Sequence, residues 1–210
     1  MAAGESSFKL ILGSSSMARQ RILAEMGYEF TIMTADIDEK SIRKEKPEDL
    51  VTALAEAKAD AIISSLQNTG IIEEDAHTTL LITADTVVVY KGMIREKPSS
   101  EEEAREYIKA VVGSVLVTNL RTRSSKCGWE SAEVYFHDIP DEVINNLIDE
   151  GIPFKVAGGL MLEHPLTLPF VEAVIGATDT VMGLSKSLTE KLIQEALFQQ
   201  VSPPGIPNVS

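Results

Sequence analysis

The chain has 210 residues, 44% hydrophobic and 24% charged, values of a globular protein rather than a mainly disordered one. Its 19 lysines and arginines against 32 aspartates and glutamates give a net charge of -13, which argues against a broad nucleic-acid or anionic-membrane surface. A single cysteine, Cys127, excludes an internal disulfide or a multi-thiolate zinc site, and His77, His137 and His164 show no metal-ligand spacing.

The first residues, Met1 to Ser7, lack the basic and apolar regions of a signal peptide, and no run is long enough to span a bilayer, so a cytoplasmic protein is expected. Phe8 to Gly13 reads as a short strand, Ser14-Ser15-Ser16 as a turn, and Met17 to Met26 as a helix stopped by Gly27. The serines are either caps or, with the positive end of the helix and Arg19, a seat for phosphate. Tyr28 to Thr34 reads as a second strand. Asp36-Ile37-Asp38-Glu39 offers carboxylates to a cation or is a solvated loop. Pro47 opens a helix to about Leu66 with an apolar stripe of Leu50, Val51, Leu54, Ala55 and Ile62. Lys58 lies beside that stripe, as a snorkelling side chain or a cleft-facing phosphate ligand.

Leu80 to Tyr90 is a strand dominated by Val, Ile and Leu, with Asp85 and Thr86 in its middle. A carboxylate in such a strand is costly to desolvate unless it is paired, ligates a metal or faces a cleft, which makes Asp85 the leading candidate for chemistry. Pro98 favours extended chain at Lys97, and Ser100 with Glu103 forms a capping box for a helix to about Ala110. Val111 to Leu120 and Ser131 to Phe136 read as paired strands separated by a polar turn, Arg121 to Gly128. Pro140 opens a helix ending at Gly151, Phe170 to Ile175 suggests a strand, and Gly176 to Thr180 a turn. Ser187 with Glu190 reads as the capping box of the last helix, and a Pro-rich flexible tail follows, leaving 8–197 as one α/β domain and 198–210 as the tail. No G-x-x-x-x-G-K-[ST] and no strand-linked G-x-G-x-x-G is present, and no histidine is placed to activate Ser14 to Ser16 as nucleophiles.

Several of these pieces, in this order, resemble the Maf family of nucleoside triphosphate pyrophosphatases: Gly13-Ser14-Ser15-Ser16-Met17-Ala18-Arg19, Asp36-Ile37-Asp38-Glu39, Leu54-Ala55-Glu56-Ala57-Lys58-Ala59, Thr83-Ala84-Asp85-Thr86-Val87-Val88, Lys97-Pro98, Ala157-Gly158 through Glu163, and Gly176 through Gly183-Leu184. The resemblance implies an α/β fold, with a long twisted mixed β-sheet flanked by helices and two lobes around a central cleft. It implies hydrolysis of a nucleoside triphosphate to the monophosphate and pyrophosphate, dependent on a divalent metal cation (Mg or Mn), and a house-cleaning purpose. It makes Asp85 the proton acceptor, gives Ser14, Arg19, Lys58 and Lys97 the triphosphate, and lets Glu39 place a metal or a water. The positions that read the base are Ala18, Thr86 and Glu163: Thr86 is found in the branch acting on thymidine and uridine triphosphates, Glu163 in the branch acting on 7-methyl-GTP. The implied partner is a nucleoside triphosphate, with no nucleic acid polymer and no membrane; a homodimer is compatible. The family's turn before the V-x-T strand is shortened here to Ala110 to Gly113, and the alternative is therefore a nucleotide-binding regulatory protein, linked to cell division, with reduced or no turnover.

Overall fold

The computed structural model describes residues 8–69, 78–90, 93–95, 110–153 and 161–198. Its centre is a seven-stranded mixed sheet. The strands are β1 (Phe8–Leu12), β2 (Thr31–Ile32), β3 (Thr78–Tyr90), β4 (Met93–Arg95), β5 (Ala110–Asn119), β6 (Ser124–Phe136) and β7 (Val171–Ile175). Their order is β2-β1-β3-β5-β6-β7, with β4 on β3. β1 is parallel to β2 and β3, and every other pairing is antiparallel. The helices are α1 (Met17–Glu25), α2 (Pro47–Asn68), α3 (Asp141–Asp149), α4 (Thr178–Val181) and α5 (Lys186–Phe198).

β3 is rich in Leu, Ile and Val because it is buried on both faces. Leu80, Ile82 and Ala84 pack with Ile22 and Leu23 of α1 and with Leu192, Ile193 and Ala196 of α5. The alternate residues, Leu81 and Val87, pack under the stripe of α2 through Ala55, Ala59, Ile62, Leu50, Val51 and Leu54. Helices therefore cover the sheet on both sides, and successive β3 side chains report to different layers.

The strand and helix expectations hold for β1, α1, α2, β3, α3 and β7, including positive φ at Gly27 (85°) and Gly151 (70°) beyond their helices. Four details differ. The second strand shrinks to Thr31–Ile32, which pair only with Ile11 and Leu12, while Tyr28 and Phe30 turn into the core. The turn expected over Arg121 to Gly128 ends at Arg123. Asn119 Oδ1 accepts from the amides of Arg121 and Thr122 at 3.1 Å each, and Arg123 takes the left-handed φ of 58°, so β6 starts at Ser124. The shortened segment Ala110 to Gly113 is not a connection but the start of β5. The last helix is capped by Ser185, whose Oγ accepts from Leu188 N at 3.2 Å, rather than by Ser187. Lys97, the capping box at Ser100, the Ala157-Gly158 pair and the 199–210 part of the tail lie outside the described residues.

Candidate active site

β5 pairs along one edge of β3 from Leu80 to Val89. On the other edge, β1 pairs only up to Ile82 and β4 only from Val88. The stretch Thr83–Val87 therefore lines a notch in the sheet, at the carboxyl end of β1 where the chain turns into α1. Such breaks in strand order are where open α/β sheets hold ligands. Gly13 closes the first step by donating its N–H to Ile82 O at 2.7 Å. A methyl group on Gly13 would meet Thr83 Cγ2 at 2.6 Å and Ile62 Cδ1 at 2.7 Å, so only glycine lets β1 leave the sheet here.

Asp85 and Thr86 occupy the notch and face opposite layers. Toward α2, Lys58 Nζ bonds Asp85 Oδ1 at 2.5 Å and Glu39 Oε1 at 2.9 Å. The helix is positioned for this by two buried hydroxyls: Ser114 Oγ donates to Val51 O at 2.7 Å and Thr83 Oγ1 donates to Ala55 O at 2.8 Å. Those carbonyls are one turn apart, and Lys58 follows after a further turn, above Asp85. Toward α1, Arg19 fans out. Its Nε donates to Gly183 O at 2.9 Å, Nη1 to Ala84 O at 2.9 Å and Ser14 Oγ at 3.3 Å, and Nη2 to Thr86 Oγ1 at 3.1 Å. Ser16 caps α1 by accepting from Arg19 N, and Ser14 Oγ accepts from Ser16 N at 3.2 Å.

Asp85 is 8% exposed. Burial pushes its carboxyl above the ordinary carboxylate range, outweighing the opposing pull of Lys58 and Arg19, and the neighbouring Glu39 charge adds to the rise. The Arg19 side chain is partly buried, and desolvation lowers its pKa, with Asp85 and Glu39 working the other way. Two carboxylates, one ammonium and one guanidinium thus surround a partly desolvated notch. Glu39, from an exposed 3₁₀ turn (Glu39–Ser41), and Asp85, from β3, converge on the Lys58 ammonium between them. Among the described residues no group of three or more His, Cys, Asp or Glu converges on one point. Glu39 pairs with Lys58 through Oε1 and is half exposed, so its other oxygen suits a hard cation that takes its remaining oxygens from water and phosphate.

The structure brings together Ser14, Arg19, Lys58, Asp85, Thr86 and Glu39. Glu163 is in the turn before the 3₁₀ segment Leu168–Phe170, partly exposed and without a hydrogen bond or ion pair among the described residues. Ala18, one residue before Arg19, is partly exposed on α1. Sequence reasoning missed the carbonyls of Ala84 and Gly183 and the anchors Thr83 and Ser114. Gly183 has φ 107° and would carry a Cβ 3.3 Å from Arg19 Nε, so its glycine identity was the available signal. Thr83 and Ser114 were legible as hydroxyls at fully buried strand positions.

A family model described as Maf-like protein matches residues 9–196, and the chain belongs to that family. It is 38% identical to a 7-methyl-GTP pyrophosphatase of Dictyostelium discoideum, over 89% of this chain and 96% of that protein. It is 32% identical to a nucleoside triphosphate pyrophosphatase of Trichormus variabilis, over 89% and 93% of the two chains. A dTTP/UTP pyrophosphatase of Alkaliphilus metalliredigens is also 32% identical, over 84% and 90%. Among the described residues no helix is long and apolar enough to cross a membrane.

Proposed function

We propose that this chain is a nucleoside triphosphate pyrophosphatase working in the notch of β3, hydrolysing its substrate to the monophosphate and pyrophosphate. The observation that carries the reading is Asp85: a carboxylate 8% exposed, with its pKa raised by burial, between Lys58 and the Arg19 cluster. A base near neutral pH needs that environment. Asp85 takes a proton from the water that attacks the α-phosphorus, and the bond from that phosphorus to the pyrophosphate oxygen breaks. Lys58 and the N–H of Arg19 left over after its four bonds face the developing negative charge. Ser14 and Lys97 complete the phosphate contacts. Glu39 would hold a divalent cation, which when bound would supply charge neutralisation at the phosphate oxygens.

For the base we propose 7-methyl-GTP. Glu163 supports it, as a carboxylate suited to a cationic methylated purine, and so does the similarity to the 7-methyl-GTP pyrophosphatase of Dictyostelium discoideum. Thr86 spends an acceptor site on Arg19, which makes it a support for that side chain as well as a candidate base contact. The test is pyrophosphate release with magnesium or manganese from 7-methyl-GTP, GTP, UTP, dTTP and CTP, with Asp85→Asn alongside. Folded protein that binds a nucleotide and releases no pyrophosphate from any of them refutes the enzyme. Turnover led by UTP or dTTP refutes the base.

A further inference from the structure

Thr86, Gly113 and Glu130 stand in one row across β3, β5 and β6, opposite one another in both pairings. Opposed residues share a face of the sheet, so the row looks toward the layer where Thr86 meets Arg19. Gly113 leaves the middle of the row bare, and α4 settles there: a methyl group on Gly113 would lie 3.6 Å from Thr86 Oγ1 and 3.8 Å from Thr180 O. With four residues α4 is a single turn, too short to hold its own place, so bonds to its surroundings set its position. Asp179 Oδ2 accepts from Lys186 N at 2.8 Å, at the start of α5, and Gly183 O accepts from Arg19 Nε at 2.9 Å. Thr180 Oγ1 donates to Glu130 Oε2 at 3.2 Å, which ties the turn to β6. Thr180 is 2% exposed, so its hydroxyl depends on a protein partner. Glu130 is partly buried and makes no ion pair among the described residues. Glutamate is a poor strand former, and its charge costs desolvation here, so the residue is kept at this position for something other than strand packing.

We propose that Glu130 is a positioning residue for the hydrolysis, acting on Arg19 through α4, a role that rests on the reading of the notch as the hydrolytic site. The route is a run of hydrogen bonds. Glu130 Oε2 accepts from Thr180 Oγ1, Thr180 O accepts from Gly183 N at 3.1 Å, and Gly183 O accepts from Arg19 Nε. From there Nη1 and Nη2 reach Ala84 O and Thr86 Oγ1, on either side of Asp85 in the chain. Arg19 thus takes its bearings from α4 at one end of the guanidinium and from β3 at the other. Without the Glu130 oxygen the Thr180 hydroxyl is left buried and unpartnered, and the single turn moves to find it another acceptor. Gly183 O moves with the turn, and Arg19 follows or loses the bond. A misplacement of about 1 Å at a group that faces developing charge costs on the order of 10²-fold in rate. Glu130 touches neither Asp85 nor Arg19 and acts through its oxygen as an acceptor, so its charge is dispensable.

The test is kcat and KM of the full chain for pyrophosphate release, with the nucleotide of the panel above that the parent hydrolyses fastest, well below the melting range of each variant. Glu130→Ala and Thr180→Val each lower kcat at least about tenfold and leave KM within about threefold, because the lost alignment is felt where charge develops. Thr180→Val keeps the shape of the buried side chain, so it removes the bond without opening a cavity. The double variant is no slower than the slower single one, since both changes delete the same bond. Glu130→Gln, whose amide oxygen still accepts from Thr180 Oγ1, stays within about twofold of the parent. Parental kcat in Glu130→Ala or Thr180→Val overturns the proposal, as do effects that multiply in the double variant. So does Glu130→Gln as slow as Glu130→Ala, which assigns the role to the charge. A parent that releases no pyrophosphate from any nucleotide sinks the hydrolytic reading and this role with it, whereas an active parent with indifferent variants overturns this role alone.

Discussion

Replacing Arg19 with lysine separates two roles for this side chain, a phosphate ligand and a clamp. Its guanidinium makes four hydrogen bonds, joining the turn after β1 (Ser14), the notch strand (Ala84, Thr86) and the loop after α4 (Gly183). A lysine ammonium keeps the charge but cannot reproduce the fork. Water can replace part of the loss at the two hydroxyls. The carbonyls of Ala84 and Gly183 lose their partner, and bonds to charged groups contribute about 1.5–3 kcal/mol each, so the expected loss is about 3–6 kcal/mol. For a chain of this size that is a fall of roughly 6–24 °C in Tm. Urea unfolding at neutral pH, with KM and kcat measured below the melting range, gives the comparison. If Arg19→Lys unfolds within about 1 kcal/mol of the parent while KM rises, the clamp is wrong and Arg19 is chiefly a phosphate ligand.

Asp85→Asn preserves shape and should lower kcat by about 10²–10⁴-fold. It should also stabilise the fold at neutral pH. A carboxyl whose folded pKa is raised contributes its stability below the unfolded value and loses it as pH rises through the folded one, a loss the amide does not suffer; a Tm at pH 7 below that of the parent contradicts this. Lys58→Met removes a cation that holds the Asp85 carboxyl down, so the acid limb of the pH-rate profile moves to higher pH, and an unmoved limb excludes Asp85 as the base. Gly183→Ala forces a side chain into φ 107° against Arg19 Nε and should cost about 1–3 kcal/mol, with kcat falling alongside stability in a thermal melt and a rate assay.

Much of the fold was legible because its signals are local. The apolar run of β3, the stripe of α2 and the glycines after α1 and α3 each act within one element. Asp85 stood out for the same reason, as a charge in an apolar strand. What could not be read was how elements meet. The pairing of Lys58 with Asp85 depends on where Ser114 and Thr83 catch the carbonyls of α2, and residue 114 is 63 positions from Val51. The Arg19 fan depends on a carbonyl 164 residues away. Arg121 to Gly128 misled because its polarity suits a loop, whereas β6 there is an edge strand with exposed side chains. The side chain of Asn119, which makes the turn tight, was the overlooked clue.

Because β3 is apolar on both sides of Thr83–Thr86, sliding it by one residue would still fill both layers with Val, Ile and Leu. Such a slip would exchange the carboxylate and the hydroxyl between the α2 and α1 layers and dismantle the chemistry. Burial alone therefore does not choose the frame of this strand. Thr83 and Ser114 act as keys that admit one setting, since only there do both hydroxyls meet carbonyls of α2. The notch can accordingly change by exchanging one side chain for another, but a residue inserted or deleted between Ile82 and Asp85 leaves a core that still packs around a site that no longer exists.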